Sequence, residues 1–196
     1  SKGVIQTHAT VFYNAINIGL KLNLTSNDVS LNLLPCFHTG GLNLLTNPTF
    51  YVGGTAIVQR SFDPSETLRL LSTQATAFFG VPSVYLFLSQ HPDFAKTDLS
   101  RVRSWSAGGS PFPTAILQLY RDRGIDIRFG LGMTETAPIS FQSAVDDPVA
   151  ARVATVGRVQ PHVEVKIVDR EGRTRPLGKA GELLTRGYLV MKGYWG

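Results

Sequence analysis

The chain has 196 residues, 43% hydrophobic and 17% charged, and its 19 Lys and Arg against 14 Asp and Glu leave a net charge of +5. That balance excludes a disordered chain and allows the core of one large domain. The basic residues are scattered, so a phosphate-bearing small molecule accounts for the surplus without a nucleic-acid partner.

One cysteine, Cys36, excludes an internal disulfide framework and a thiolate metal cluster, which points to a reducing, cytoplasmic setting. No run approaches the roughly eighteen apolar residues of a membrane span. The chain opens without Met on Ser1-Lys2-Gly3-Val4, which reads as the end of a glycine-type loop, and stops at Gly193-Tyr194-Trp195-Gly196. It is therefore expected to be a piece of a longer protein.

Val4 to His8 reads as a short strand or arm. Val11, Ala15, Ile18 and Leu22 recur at helical spacing and predict one apolar stripe. Asp28 to Leu34 ends at Pro35 as a buried strand, followed by the loop Cys36-Phe37-His38-Thr39-Gly40-Gly41, a helical stretch from Leu42 to Leu45, and a strand at Thr55 to Val58. Asp63-Pro64-Ser65-Glu66 predicts a helix start, with Asp63 as cap, Pro64 at the first helical position and Glu66 closing a capping box. Next come the apolar strand Ala77-Phe78-Phe79-Gly80-Val81 and a helix opened by Pro82. Val102 to Ala107 is a further strand, closed by Gly108-Gly109-Ser110-Pro111. A helix from about Pro113 to Arg123 ends at Gly124, and Ile125 to Phe129 is again a strand.

This alternation predicts an α/β fold over residues 1–145, a mostly parallel sheet flanked by helices. Beyond Ala144 the texture changes. Val163, Val165 and Ile167 alternate with polar neighbours up to a turn at Asp169 to Gly172, and Gly181 to Gly187 forms a second strand. Residues 146–196 thus predict a small antiparallel β-subdomain.

After the Ile125 to Phe129 strand comes Gly130-Leu131-Gly132-Met133-Thr134-Glu135, expected to be a short polar turn. Its glycines allow a close approach of backbone to ligand, and Thr134 and Glu135 offer a hydroxyl and a carboxylate together. The stretch alone fits a nucleotide-phosphate and metal site, and equally a turn with a helix cap. Because ligands of parallel sheets bind at strand carboxyl ends, the loops at His38 to Gly41, at Gly108 to Ser110 and at Gly130 to Glu135 are expected to converge on one crevice.

Five ordered blocks resemble the adenylate-forming superfamily of acyl-CoA synthetases, luciferases and peptide-synthetase adenylation domains. Ser1-Lys2-Gly3 resembles the tail of the family's phosphate loop, and Leu34-Pro35-Cys36-Phe37-His38-Thr39-Gly40-Gly41 its Leu-Pro-x-Phe-His-x-x-Gly segment. Ala107 to Pro111 is similar to the glycine-rich adenine-side strip, and Gly130 to Pro138 to the Tyr-Gly-x-Thr-Glu block. Gly181-Glu182-Leu183 with Gly193-Tyr194-Trp195 matches the block running from Gly-Glu-Leu to Gly-Tyr-Trp. Two departures stand out. Ser1 replaces the loop's usual proline, and Leu131 replaces an aromatic residue beside adenine, leaving aliphatic contact in place of stacking. In the family an Asp that grips ribose and a lysine-bearing C-terminal domain follow these blocks; the resemblance puts both outside this chain and implies that the isolated piece is inactive.

The reaction implied is an acid–thiol ligation. A carboxylate attacks the α-phosphate of ATP to give acyl-AMP and pyrophosphate, and the thiol of coenzyme A then displaces AMP. The resemblance implies Mg²⁺ on Glu135 and the α-phosphate on Thr134. Nucleotide would lie along Gly108, Gly109, Ser110, Gly130, Leu131, Gly132 and Met133, with Lys2 either neutralising phosphate or solvated. His38 reads as a gate beside the reacting carboxylate or as a loop histidine bonded to backbone. Phe37, His38, Gly41, Phe79, Gly80, Val81 and Met133 are implied in the acyl pocket, whereas strand alternation sends Phe78 to the core. Cys36 is expected to be small and buried. Val156-Gly157-Arg158, Val163-Glu164-Val165 and Gly178 to Glu182 resemble acyl-CoA ligases more than peptide-synthetase domains, which implies an acyl-CoA ligase, expected to act on a fatty or aliphatic acid; the rivals are an amino- or aryl-acid adenylation domain and a non-catalytic nucleotide-binding module.

Overall fold

The computed structural model describes residues 2–196, so Ser1 and its phosphate-loop assignment lie outside the described residues. Strand β1 (Gly3–Ile5) leads into α1 (His8–Leu22), started by the Thr7 hydroxyl, which accepts the Thr10 amide at 3.2 Å. Its buried face carries Ala15, Ile18 and Leu22 of the predicted stripe, while Val11 is half-buried. After β2 (Val29–Asn32) the chain becomes helical at Thr39, earlier than expected. A first turn α2 (Thr39–Gly41), a π-helical turn (Leu42–Thr46) and α3 (Asn47–Tyr51) follow without a break, so Gly41 lies in helix. Strand β3 (Thr55–Val58) and α4 (Pro64–Thr73) come next; Asp63 caps α4 by accepting the Glu66 amide at 2.8 Å. The capping box does not close, because the Glu66 carboxylate pairs with Arg69 instead.

Strand β4 (Ala77–Gly80), α5 (Pro82–Gln90), β5 (Ser104–Gly108), α6 (Thr114–Arg121) and β6 (Ile127–Gly132) complete the alternation. Then follow β7 (Ile139–Gln142), α7 (Val149–Ala154) and β8 (Arg158–Val159). The main sheet runs β3-β2-β4-β5-β6-β7-β8, with β7 and β8 added antiparallel to an otherwise parallel sheet. Strand β8 therefore extends the large sheet past residue 145, and α7 packs on α6 and β6. A separate hairpin, β9 (Glu164–Val168) with β10 (Glu182–Arg186), supplies the expected small antiparallel unit. A pairing with no counterpart in the sequence reading joins the two ends: β11 (Gly193–Trp195) lies antiparallel to β1.

Apolar side chains fill both faces of the sheet. One cluster gathers Leu31, Leu71, Phe78, Tyr85, Trp105, Tyr120 and Ile127 under α4, α5 and α6; the other gathers Ile18, Leu22, Leu44, Ala77, Phe79 and Ile139 under α1 and the π turn. Phe78 and Phe79 are successive residues of β4 and so enter opposite clusters, as strand geometry requires. The phenols that this burial takes out of water are satisfied: Tyr85 donates to the Ser106 carbonyl at 2.8 Å and Tyr120 to the Tyr85 carbonyl at 2.9 Å.

The glycine stretch at the site differs from the turn expected of it. Gly130-Leu131-Gly132 is not a turn but the last part of β6, where bare glycine backbone lets β7 come close. A Cβ at Gly130 would lie 2.5 Å from the Phe141 carbonyl oxygen, and one at Gly132 2.2 Å from that of Pro138. Cys36 is also corrected: it is exposed, because the segment before α2 loops away from the sheet.

Candidate active site

Strands β2, β4, β5 and β6 stand side by side and parallel, so the loops leaving their carboxyl ends meet along one edge of the sheet. From β2 the chain passes outward to β3 and then crosses back to β4, so the direction of winding reverses between β2 and β4. Such a switch point separates the two loops and opens a crevice. A cavity of about 370 Å³ lies there.

Its walls come from four loops. His38, Thr39 and Gly40 follow β2; Phe79 and Val81 belong to the end of β4; Gly108 and Gly109 end β5; Gly130, Gly132, Met133, Thr134 and Glu135 come from β6 and beyond. Leu34, Pro35, Leu44, Pro138 and Ile139 complete the lining. Of the residues singled out from the sequence, Lys2, Phe37, Gly41, Gly80, Ser110 and Leu131 are not part of this wall. Phe37 is 95% exposed. Leu131 sits between Gly130 and Gly132, so pleating turns its side chain to the opposite face. Leu44 and Ile139 were missed because an apolar residue on a core helix or strand carries no separate signal for lining a cavity, whereas Pro138 closes the Gly130 to Pro138 block.

His38 starts the helix. Its Nδ1 accepts the Gly40 amide at 2.9 Å, which leaves the ring proton on Nε2. The histidine is bonded to backbone, as one of its two readings has it, and it also forms part of the cavity wall.

Thr134 to Thr136 form a single 3₁₀ turn, held by the Met133 amide donating to the Pro138 carbonyl at 2.7 Å and the Thr136 amide to that of Met133 at 3.0 Å. Two other parts of the chain brace it. Gln6 donates its side-chain amide to the Thr134 carbonyl at 2.8 Å, and the Met191 amide donates to the Glu135 carbonyl at 2.8 Å. The Tyr194 phenol donates to Glu135 Oε1 at 2.7 Å. That bond holds the Glu135 carboxyl below the ordinary carboxylate range, helped by the Lys2 charge. Glu135 is therefore an anion at neutral pH, at the rim of a cavity whose other walls combine apolar side chains and glycine backbone with the polar His38, Thr39 and Thr134.

No group of three or more His, Cys, Asp or Glu side chains that could hold a metal occurs among the described residues. An ion at Glu135 would have one protein carboxylate and would need phosphate oxygens and water for the rest. Mg²⁺ accepts that donor set, and the residues present fit it.

The family described as AMP-binding enzyme matches residues 1–195. The chain is 34% identical to a feruloyl-CoA synthase from an Amycolatopsis species, covering 100% of this chain and 40% of the relative. It is 39% identical to the putative acyl-CoA synthetase YngI of Bacillus subtilis strain 168, covering 99% and 36%. Among solved structures, apo MatB from Rhodopseudomonas palustris superposes with a TM-score of 0.92 at 30% identity, over 100% of this chain and 38% of that one. The chain thus spans well under half the length of these proteins.

Proposed function

Because the chain belongs to the AMP-binding enzyme family, we propose that the full-length protein is an ATP-dependent, AMP-forming acid–thiol ligase that joins a carboxylic acid to coenzyme A. The observation that carries this reading is the convergence of Gly108, Gly109, Gly132, Thr134, Glu135 and His38 on one cavity at the switch point of the sheet. The reaction needs positioning and charge neutralisation more than covalent help. A carboxylate oxygen bonds to the α-phosphorus as the bond to pyrophosphate breaks, and the thiol then attacks the acyl carbon as AMP leaves.

The chain's own groups divide that work. Thr134 presents a hydroxyl to the α-phosphate, and the glycines at the ends of β5 and β6 let the nucleotide lie against backbone. Glu135 would hold Mg²⁺, which when bound neutralises charge on the phosphate oxygens. Leu34, Leu44, Phe79, Val81, Met133 and Ile139 make the remaining wall apolar, which supports an acyl group that is fatty, aliphatic or otherwise uncharged. His38 stands beside that wall as a polar gate with its Nε2 proton available. A single cysteine supports a reducing, cytoplasmic setting.

The test is isotope exchange between pyrophosphate and ATP by the full-length protein across fatty, aryl and amino acids. Exchange driven by apolar carboxylic acids is expected, and Glu135→Ala should lower it by about a hundred-fold or more. Strict dependence on an amino acid, or a near-normal rate in Glu135→Ala, would overturn the assignment.

A further inference from the structure

Strand β11 lays Tyr194 against the Glu135 turn. Besides the phenol bond to Glu135 Oε1 at 2.7 Å, the Lys2 ammonium lies 4.6 Å from the centre of the same ring. One side chain thus carries a carboxylate on its hydroxyl and an ammonium on its face.

The frame around it is hydrogen-bonded on both sides. Val4 is the strand partner of Tyr194, and the Lys192 amide donates to the Ile5 carbonyl at 3.0 Å. The Met191 amide bonds to the Glu135 carbonyl, and Gln6 bonds to the Thr134 carbonyl. A phenol that donates to one carboxylate oxygen fixes the rotation of the group and leaves the other oxygen for a cation.

We propose that Tyr194 is a positioning residue for the metal and phosphate end of the site. It holds Glu135 so that Oε2 is the oxygen offered to a divalent cation, and it keeps the Lys2 ammonium close by for a phosphate. The proposal rests on the reading of Glu135 as the metal carboxylate. Partners that orient a metal ligand change metal affinity without touching the metal, commonly by ten-fold or more. A tyrosine serving only to pin β11 to the turn would leave cation affinity unchanged.

The experiment uses the full-length protein as wild type, Tyr194→Phe, Glu135→Gln and the double variant. Mn²⁺ is the probe, its binding followed by electron paramagnetic resonance with α,β-methylene-ATP present, so that no turnover contributes. Tyr194→Phe retains the ring and its contact with Lys2, and is expected to weaken Mn²⁺ binding about ten-fold. In the Glu135→Gln background the same change should add nothing. If Tyr194→Phe binds Mn²⁺ as wild type does while Glu135→Gln loses it, the positioning role is overturned and the Glu135 reading stands. If Glu135→Gln also binds like wild type, or wild type binds no Mn²⁺, both fall. Should Tyr194→Phe fail to fold, Tyr194→Leu, which also removes the phenol donor, takes its place in the same Mn²⁺ measurement, and binding equal to wild type would overturn the proposal.

Discussion

Asp28 lies at the amino end of β2, only 2% exposed, and it keeps its charge because its oxygens are fully engaged. Arg103 donates Nε to Oδ1 at 2.8 Å and pairs through Nη2 with Oδ2; the Thr76 hydroxyl reaches Oδ1 at 2.7 Å and the Thr25 amide Oδ2 at 2.7 Å. Burial alone would raise the carboxyl pKa, but these donors, Arg103 foremost, bring it from 3.8 down to about 2. A group with a depressed folded value binds its proton more weakly in the folded state than in the unfolded one. Its contribution, about 2 kcal/mol, is therefore present above pH 4 and is lost as pH falls toward 2. Urea denaturation of the full-length protein should show that loss, with a flatter dependence in Asp28→Asn. Arg103→Met, which leaves the buried carboxylate without its cation, should cost about 3 kcal/mol at pH 7. Equal stability of wild type and Asp28→Asn at every pH would contradict the assignment.

Element by element, the contact of β6 with β7 most directly shapes the cavity, since it holds Gly130 and Gly132 beside the turn that carries Glu135. Gly132→Ala would set a methyl group 2.2 Å from the Pro138 carbonyl oxygen, too close for any rotamer to relieve, so the two strands must part. The expected cost is about 2 kcal/mol or more, together with a raised KM for ATP as Thr134 and Glu135 shift. An unchanged KM would mean that the turn keeps its place without the strand contact. Elements with local signals were legible beforehand: Asp63 and Pro64 marked the start of α4, and the helical stripe marked α1. Strand β7 was not, because Ser140 and Gln142 are buried as deeply as Ile139 and Phe141, which removes the alternation by which a half-exposed strand is recognised. The pairing of β1 with β11 had no local signal at all. Each is three residues long, and only the folded chain brings them together.

Across the whole molecule, the alternation of strands and helices makes the parallel sheet legible in the sequence, while the buried polar fastenings behind it are not. His38, Gly108, Thr134 and Glu135 are small or polar residues at strand ends, where their types already suggest a site. Arg152 shows the other case: a charged residue in a short helix reads as surface, yet its side chain is 1% exposed. Its guanidinium donates to the Asp147 carbonyl at 2.8 Å, the Ile127 carbonyl at 3.2 Å and Asp126 Oδ1 at 2.9 Å, and also bonds the Val145 carbonyl. One side chain thereby fastens α7 and the segment after β7 to the amino end of β6, the end away from the cavity. Arg152→Met fills similar space but strands these carbonyls without donors, at an expected cost of about 3 kcal/mol in urea denaturation. Because the clasp and the crevice lie at opposite ends of β6, the KM for ATP at temperatures where the variant stays folded should match wild type. A raised KM with unaltered stability would reverse the argument, placing Arg152 in the site's own support and not in the frame behind it.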